Sequence, residues 1–262
     1  MPSLADHQSS KITKLLLQGD SGSGKTSALA SLALAGYKLH ILDFDNGLDP
    51  LVQLIKRRDP KALANVDFKS FRDKIKGQSP QGVIFDGIPS AFSDAIKSLD
   101  KWEDGSKLGE LGPEHVVVID TLTFMSDAAF NWATSLNPGA KDKRQIFGHA
   151  QQAVEAMISQ ITSSNFKTNV IVIAHMKYMD RPDGTTKAYP TSVGAALSPK
   201  IPAYFNSVLM CETVGSGSTG KRQIRTQSTA MVDLKNAASF DTPNSFPTET
   251  GLADFFKIAR GG

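Results

Sequence analysis

The chain has 262 residues, of which 40% are hydrophobic and 21% charged, and its formal net charge is +3 at pH 7. These values are typical of a globular protein, and the length suits one α/β domain or one domain with an insertion. No run approaches the roughly 18 uncharged apolar residues of a membrane helix, and the polar segment Met1 to Ser10 lacks the apolar stretch of a signal peptide. A single cysteine, Cys211, excludes an internal disulfide and a multi-cysteine metal site. We therefore expect a cytoplasmic protein without a membrane partner, in which Cys211 is a small buried apolar residue.

Short apolar runs rich in β-branched residues alternate along the chain with longer segments of helical period. This pattern is typical of a parallel sheet covered by helices. Strands are predicted at Ile12 to Leu17, Leu39 to Leu42, Val116 to Ile119, Val170 to Ile173 and Ser207 to Cys211. Helices are predicted at Lys25 to Ala35 and at Arg144 to Thr162, where apolar residues recur every three or four positions. The expected fold class is α/β, with a mostly parallel central sheet flanked by helices.

Two regions interrupt this alternation. Residues 60–113 are less regular and are interpreted as an elaboration between core strands, with a strand near Val66 to Phe71 and a helix near Ala91 to Lys101. Residues 213–262 are interpreted as a C-terminal hairpin and tail, because the glycine- and serine-rich piece Gly215 to Gly220 predicts a turn before Gln223 to Thr226. We expect residues 1–262 to form a single domain.

The most specific motif follows the first predicted strand. Residues 19–26 match the pattern G-x-x-x-x-G-K-[ST] at every fixed position. Glycines allow a tight turn that aims backbone N–H groups inward, and the helix that follows adds the positive end of its dipole. Lys25 is predicted to reach the β- and γ-phosphates and Thr26 to place its hydroxyl on Mg²⁺. The sequence therefore predicts a site for ATP with Mg²⁺ formed by Gly19, Asp20, Ser21, Gly22, Ser23, Gly24, Lys25, Thr26 and Ser27.

Two later predicted strands end in acidic residues. The apolar run His115 to Ile119 is followed by Asp120, the form of a Walker B segment whose aspartate lies in the Mg²⁺ shell. The strand Leu39 to Leu42 is followed by Asp43 and Asp45, and an acid at this place can polarise the water that attacks the γ-phosphate. We predict Asp120 as the metal ligand and Asp45 as the catalytic base, whereas Asp43 suits a structural role at the sheet edge or as a helix cap.

With these residues identified, the chain resembles the ATPase core of the RecA recombinases. The segment Leu42 to Pro50 resembles the RecA stretch in which a catalytic glutamate is followed, four residues later, by an aspartate near the adenine and then by proline. The resemblance implies that Asp45 takes the place of the glutamate and that Asp49 contacts the adenine. Because aspartate is one methylene shorter than glutamate, the implied P-loop ATPase is expected to hydrolyse ATP slowly with stimulation by DNA, or to position the water differently.

The resemblance continues through Val116 to Thr121 and reaches the strand Val170 to Ala174. His175 stands where RecA proteins carry a glutamine that senses the γ-phosphate, and residues 176–194 stand where RecA has its second DNA-binding loop. The alternative for His175 is a core histidine that ends a buried strand. The similarity in element order runs from Ile12 to Glu212. It implies a RecA-like P-loop NTPase fold with C-terminal β-hairpin elements.

The N-terminal polymerisation helix and the C-terminal domain of RecA are not evident in the sequence. The chain is therefore similar to the core-only RecA-like ATPases of bacteriophages, the Sak-type single-strand annealing and recombination proteins. This resemblance implies single-stranded DNA as a partner, a single-strand DNA-binding protein as a further partner, and assembly into a homo-oligomer or filament. It also implies the cytoplasm of a bacterial host if the protein is phage-encoded.

Basic and aromatic residues are interleaved in two of the predicted loops. Such loops suit a single strand of nucleic acid, because cations contact its phosphates and rings stack on its bases. The alternative is a solvated surface loop with ordinary lysines. The candidate DNA contacts are Lys177, Tyr178, Arg181, Lys187 and Tyr189 in the loop after His175, and Lys141, Lys143 and Arg144 in the loop beyond the Asp120 strand.

RecA-like ATPases commonly complete their site with a lysine or arginine from a neighbouring subunit. Lys235 is the candidate here, ahead of Lys221, Arg222 and Arg225. The leading functional hypothesis is a RecA-like ATPase that binds single-stranded DNA and promotes annealing or recombination. A replication-associated motor or helicase-loader ATPase that acts on a protein partner is the alternative. A small-molecule kinase is a third, but the acid-ending strand before Asp45 favours ATPase chemistry over it.

Overall fold

The computed structural model describes residues 11–80, 82–139, 142–215, 220–238 and 242–261. The strands are β1 (Lys14–Gly19), β2 (Lys38–Asp43), β3 (Val66–Ser70), β4 (Ile75–Ser79), β5 (Gly82–Phe85), β6 (His115–Asp120), β7 (Asn169–Ala174), β8 (Met176–Asp180), β9 (Thr186–Pro190), β10 (Ser207–Val214), β11 (Lys221–Arg225) and β12 (Ser245–Pro247). The helices are α1 (Lys25–Ala28), α2 (Ala30–Leu34), α3 (Asp49–Arg58), α4 (Ala91–Asp100), α5 (Leu122–Leu136), α6 (Lys143–Thr162) and α7 (Gly251–Ala259), with 3-10 turns at Pro60–Asn65, Leu108–Glu110 and Ile201–Tyr204.

Eight strands form one sheet in the order β12-β11-β10-β1-β7-β6-β2-β3. The six strands from β10 to β3 in this order are parallel, and β11 and β12 add antiparallel pairs at one edge. The predicted α/β class with a mostly parallel sheet and C-terminal hairpin elements is confirmed. Because β7 lies between β1 and β6, the strand that leads to His175 emerges between the phosphate loop and Asp120.

The sheet is buried on both faces, as the continuous apolar runs predict. On β1, Leu16 faces a core that includes residues of α4, α5 and α6, whereas Leu15 and Leu17 face a core formed with α1, α2, α3 and α7. Because neighbouring side chains of a strand point to opposite faces of the sheet, β1 packs against both layers of helices. This double burial fixes the register of the strands and therefore the positions of the residues at their carboxyl ends.

Three local features differ from the sequence-based expectations. The predicted helix Lys25 to Ala35 is divided at Leu29 into α1 and α2. Residues 176–194, predicted as a flexible loop, contain the antiparallel hairpin β8–β9. The elaboration contributes β3 as an edge strand and α4 near their predicted positions, and it also carries a second hairpin, β4–β5, which the sequence pattern did not predict.

The expectation that Cys211 is a buried apolar residue has a structural counterpart. Cys211 is buried in β10, and burial raises the pKa of its thiol to about 12, so it is an inert core residue. None of the helices in the described part of the chain has the length and apolar character needed to span a membrane.

A buried lysine joins β1 to the end of α6. The ammonium of Lys14 donates hydrogen bonds to the carbonyl oxygens of Ile161, Phe166 and Thr168, at 2.8, 2.6 and 2.9 Å. These three bonds use every donor of the ammonium, although burial lowers the pKa of Lys14 to about 7. Lys14 thus satisfies carbonyl groups at the amino edge of the sheet, opposite the predicted site.

A histidine pair lies at the same edge. Nε2 of His40, on β2, is 2.9 Å from Nδ1 of His115, on β6, and the His40 ring meets the edge of Trp102. Burial, and then the nearby His115, lower the pKa of His40 more than Asp67 and Asp104 raise it. The folded chain therefore favours neutral His40, because burial disfavours its charged form.

We predict that this pair makes the protein less stable in mild acid. The pKa of His40 is lower in the folded than in the unfolded chain, so its stabilising contribution is complete above the unfolded pKa and is lost as the pH falls below it. The free energy of unfolding, measured by urea denaturation, should fall between about pH 7.5 and about pH 5.5, and His40→Gln should reduce that fall. His149→Gln, at an exposed histidine, should leave the pH dependence unchanged. Equal pH dependence in His40→Gln and wild type would contradict the assignment.

Candidate nucleotide and magnesium site

The phosphate loop begins where β1 ends and leads into α1. Gly22 and Gly24 adopt φ values of 77° and 94°, which L side chains rarely adopt, so glycine is required at both positions. The ammonium of Lys25 donates to the carbonyl oxygens of Gly19 at 2.9 Å and Asp20 at 2.8 Å. The loop thus closes around its own lysine, as expected for a cradle that presents a cation to phosphate oxygens.

Gly19 is required for a different reason. A Cβ atom at this position would lie 2.3 Å from the carbonyl oxygen of Cys211 on the neighbouring β10. Any side chain would therefore push the loop off the sheet. The close contact holds the loop in register with β10.

Asp120 has the properties of a metal ligand. It ends β6 with no exposed surface, and its Oδ2 accepts a hydrogen bond of 2.8 Å from the hydroxyl of Thr26. Its Oδ1 is buried and has no partner among the described residues. Burial raises the pKa of Asp120 to about 7, and the nearby Asp45 carboxylate contributes to this rise. A free buried oxygen beside the Thr26 hydroxyl fits a hard divalent cation such as Mg²⁺, which takes oxygen ligands.

The two acids after β2 have different surroundings. Asp43, the Cα partner of Asp120 across the strands, accepts hydrogen bonds from the Asn46 amide at 2.8 Å and the Ser70 hydroxyl at 3.3 Å. It therefore holds the turn after β2, in agreement with a structural role. Asp45 is half-buried, and its Oδ1 has no partner in the described part of the chain. Burial, and then the Asp43 carboxylate, raise the pKa of Asp45, which brings it closer to the value that suits a general base at neutral pH.

His175 follows β7 and lies beside the lysine of the phosphate loop. Its Nδ1 is 3.4 Å from Nζ of Lys25. Burial, and then the positive charge of Lys25, lower the pKa of His175, so the ring is neutral at neutral pH. A neutral imidazole can donate a hydrogen bond to phosphate without adding charge.

Thr123 connects His175 to the chain beyond the β8–β9 hairpin. Its Oγ1 accepts a hydrogen bond from the His175 amide at 3.2 Å and donates one to the Thr191 carbonyl at 3.4 Å. The Thr191 amide donates to the His175 carbonyl at 2.7 Å. Sequence reasoning missed this residue, although its position just after the Asp120 strand is a usable signal.

A pocket that is the candidate for the nucleoside adjoins α1, because Ser27 lines it. It has a volume of about 280 Å³. Its lining residues are Ser27, Pro50, Gln53, Leu54, Arg57, Arg222, Thr248 and Glu249. The lining residues from α3 are Pro50, Gln53, Leu54 and Arg57, and their helical spacing places them on one face of the helix, which the sequence alone could have indicated. Arg222 and Thr248 come from distant parts of the chain, so the sequence does not indicate their presence here.

Asp49 does not line that pocket. It lies on another face of α3 and lines a separate cavity of about 310 Å³ that includes Asp43 and Phe68. The predicted adenine contact of Asp49 stays a prediction. Gln53 and Arg57, which line the pocket, are further candidates.

The residues predicted to bind DNA after His175 lie on the β8–β9 hairpin. The Lys177 ammonium donates a hydrogen bond to the Gly194 carbonyl at 3.5 Å. The Arg181 guanidinium donates to the Tyr189 hydroxyl from Nε at 3.2 Å and from Nη2 at 2.8 Å. Lys187 forms an ion pair with Asp233. Cross-strand partners share a face, so Lys177 and Tyr189 lie together.

Tyr178 is on the other face of the hairpin from Lys177. Tyr178 and Asp20 of the phosphate loop line the same cleft, and partial burial, and then the Asp20 carboxylate, raise the pKa of Tyr178. Its predicted contact with DNA stays a prediction, and its position favours contact with the loop.

The remaining basic candidates are dispersed. Lys143 begins α6, and Arg144 forms an ion pair with Asp142. Lys141 lies outside the described residues. Lys235 pairs through its backbone with Val208, near the start of β10, and its role across a subunit boundary stays a prediction.

We predict that the Thr26 hydroxyl is needed for binding of the metal. Thr26→Val removes the oxygen beside Asp120 and should weaken Mg²⁺-dependent binding of a fluorescent ATP analogue at least about tenfold, because Mg²⁺ takes only oxygen ligands here. Thr26→Ser keeps the oxygen and should bind as wild type does. Equal Mg²⁺ titrations for Thr26→Val and Thr26→Ser would contradict this role.

The family of the chain follows from its similarity to known proteins. Solved structures similar to this chain include the KaiC-like protein PH0186 from Pyrococcus horikoshii OT3, with 11% identity and a TM-score of 0.43, and the flagellar accessory protein FlaH from Methanocaldococcus jannaschii, with 10% identity and a TM-score of 0.45. Each match covers 91% of this chain and 87% of the other. None of the curated proteins matches the sequence. A family model described as AAA domain matches residues 11–238, most of the chain, and this protein therefore belongs to that AAA domain family.

Proposed function

We propose that this AAA-type ATPase hydrolyses ATP at the carboxyl edge of its sheet and acts on single-stranded DNA in the manner of the Sak-type annealing proteins. The observation that supports hydrolysis is the convergence of Lys25, Thr26, Asp120, Asp45 and His175 at the ends of four adjacent strands. A bound triphosphate would have a cation, a metal ligand, a base and a hydrogen-bond donor around its terminal phosphate.

Each side chain has a separate task in this mechanism. Lys25 binds phosphate oxygens, Asp120 and Thr26 hold the Mg²⁺, and the metal when bound neutralises charge on the phosphates. Asp45 orients the attacking water and accepts its proton, which its free buried oxygen and raised pKa allow. His175 donates a hydrogen bond to the γ-phosphate.

We predict that Asp45 affects turnover more than binding. Asp45→Asn keeps the shape of the side chain but removes the base, so kcat should fall about 100- to 10,000-fold while KM for ATP changes little. Asp45→Glu should retain turnover, because it keeps a carboxylate at this position, unlike Asp45→Asn. Asp127→Asn, at a carboxyl group on α5 whose pKa is also raised, is the matched control and should behave as wild type. Wild-type kcat in Asp45→Asn would remove Asp45 from the mechanism.

The case for single-stranded DNA depends on the β8–β9 hairpin. The hairpin begins directly after His175, and Lys177, Arg181 and Tyr189 give it cations and a ring next to one another. Such a ribbon suits a flexible strand whose phosphates and bases are both accessible. A homo-oligomer would place several β8–β9 hairpins along one DNA strand. A single-strand DNA-binding protein is a second proposed partner.

We predict that the hairpin cations set the salt dependence of DNA binding. Lys177→Ala combined with Arg181→Ala should weaken binding of labelled single-stranded DNA in the presence of an ATP analogue. The slope of log K against log salt should become shallower by about 0.7 for each phosphate group that the protein no longer neutralises. Lys56→Ala combined with Lys257→Ala removes two exposed cations from α3 and α7 and should leave the slope unchanged. The opposite result, an unchanged slope in the hairpin variant, would exclude this surface.

A protein partner is the second candidate, as in a replication-associated motor or helicase loader. It is favoured by the internal pairing of Lys187 with Asp233 and of Arg144 with Asp142, since these pairs reduce the charge available to phosphates. The two functions separate in one assay. DNA should raise the ATPase rate of an annealing protein, whereas the rate of a motor that acts on protein should not respond to DNA alone.

A further inference from the structure

Two side chains from the C-terminal strands lie against the phosphate loop of their own chain. A Cβ atom at Gly24 would lie 3.0 Å from Cδ of Arg222 and 3.4 Å from Cγ2 of Thr248. Arg222 is on β11, and Thr248 follows β12 directly. The Thr248 amide donates to the Arg222 carbonyl at 3.4 Å, which continues the β11–β12 pairing by one step. We call Arg222 and Thr248 the clamp.

The backbone that carries the clamp is held in place by close packing. A Cβ atom at Gly251, where α7 begins, would lie 2.7 Å from Cβ of Phe246 and 3.0 Å from Cδ1 of Ile224, so glycine is required at this turn. The Ala253 amide on α7 donates to the Ser31 hydroxyl on α2 at 3.2 Å. The end of the chain is therefore packed on the same helix layer that follows the phosphate loop.

Thr248 has a polar group that the folded chain does not use. Only 3% of its surface is exposed, and its buried hydroxyl has no hydrogen-bond partner among the described residues. Thr226, at the end of β11, instead donates its hydroxyl to the Pro243 carbonyl. A buried hydroxyl without a partner is unfavourable. Because Thr248 lines the candidate nucleoside pocket, a ligand in this pocket can supply the missing bond.

The guanidinium of Arg222 is also available to a ligand. Within the described chain it has no hydrogen bond or ion pair, whereas Arg225 pairs with Glu212 at 2.7 Å. Arg222 lines both the candidate nucleoside pocket and a larger cavity of about 880 Å³, so its side chain forms a wall between them. A planar guanidinium stacks on rings. Its contact with Gly24 places Arg222 over the loop of its own chain, although the sequence made it a secondary candidate for the site of a neighbour.

The covalent order of a nucleotide decides which group meets each part of the pocket. The sugar joins the phosphates to the base. The pocket extends from Ser27, next to the phosphate loop, to Gln53 and Arg57 on α3. Thr248 contacts the loop itself at Gly24, so it lies at the end of the pocket where the sugar follows the phosphates. A threonine hydroxyl both donates and accepts hydrogen bonds, as the hydroxyl groups of ribose do.

We propose that the clamp makes the site selective for ribonucleotides. The Thr248 hydroxyl bonds to the 2′-hydroxyl of the sugar, and the Arg222 guanidinium stacks on the base. This inference rests on the nucleotide binding of the proposed function and does not need hydrolysis. A 2′-deoxynucleotide leaves the buried Thr248 hydroxyl without a partner, and a site with an unpaired polar group rejects such a ligand. The phosphates bind to the loop without help from the clamp.

The first test measures selectivity for the sugar by calorimetric titration with Mg²⁺ and three ligands, ADP, 2′-deoxyADP and pyrophosphate. The wild type should bind ADP about fivefold more tightly than 2′-deoxyADP, the effect of one hydrogen bond. Thr248→Val should remove this preference and leave the affinity for pyrophosphate unchanged, whereas Thr248→Ser should keep the preference. Thr226→Val removes a hydroxyl from the same edge of the sheet and is the matched control, which should keep the preference.

The second test measures the contribution of Arg222 with the same ligands. Arg222→Ala should weaken binding of ADP and of 2′-deoxyADP by the same factor, about fivefold, because stacking on the base does not distinguish the sugars. The affinity for pyrophosphate should not change. Arg58→Ala removes an exposed cation from the end of α3 and should bind all three ligands as the wild type does.

Several results would overturn the proposal. Equal affinity of the wild type for ADP and 2′-deoxyADP, or a wild-type preference in Thr248→Val, would exclude the sugar contact. Loss of the preference in Thr226→Val would assign the effect to the fold of this edge. Weaker pyrophosphate binding by Arg222→Ala would make Arg222 a phosphate ligand instead. A wild type that binds neither ADP nor pyrophosphate is a different result, because the proposed function then fails together with the clamp.

Discussion

Burial of neighbouring carboxyl groups is the constraint on which the carboxyl edge of the sheet depends. Asp43, Asp45 and Asp120 lie at the ends of two adjacent strands, and Lys25 is the cation of the phosphate loop beside them. Burial and like charge raise the pKa values of Asp45 and Asp120, so the folded chain without ligand carries an electrostatic cost. A divalent cation bound between Thr26 and Asp120 would lower that cost, so the proposed Mg²⁺ and nucleotide would stabilise this edge of the sheet.

The sequence predicted the parts of this edge that follow from local chemistry. Five core strands, the phosphate loop, Asp120 and Asp45 were identified because apolar runs end in glycine or acid at the positions that a parallel sheet brings together. The side of α3 that faces the loop was also readable, since Pro50, Gln53 and Arg57 recur with helical spacing. The adenine contact of Asp49 comes from the resemblance alone and stays a prediction, since Asp49 lines a neighbouring cavity.

Other features depend on contacts between distant segments. Local pattern does not place β7 between β1 and β6, because strand order is set by crossovers and packing. Arg222 and Thr248 reach the candidate nucleoside pocket from segments far beyond the phosphate loop in sequence. The β8–β9 hairpin was predicted as a loop, although an Asp183-Gly184 turn between alternating segments is a hairpin signal. The resemblance of residues 176–194 to a DNA-binding loop of RecA favours a flexible loop instead, and the structure shows the hairpin.

Communication between nucleotide and hairpin requires an element that both ends contact. Thr123 is such an element, because its one hydroxyl group bonds to the amide of His175 and to the carbonyl of Thr191. A ligand shifts an equilibrium only by its difference in affinity for two states. A shift of the His175 backbone on phosphate binding would change its bond to Thr123 and, through Thr191, the stem of the β8–β9 hairpin. The hairpin also meets the phosphate loop through Tyr178, which lines one cleft with Asp20, so the Thr123 bonds are one of at least two structural links between the loop and the hairpin.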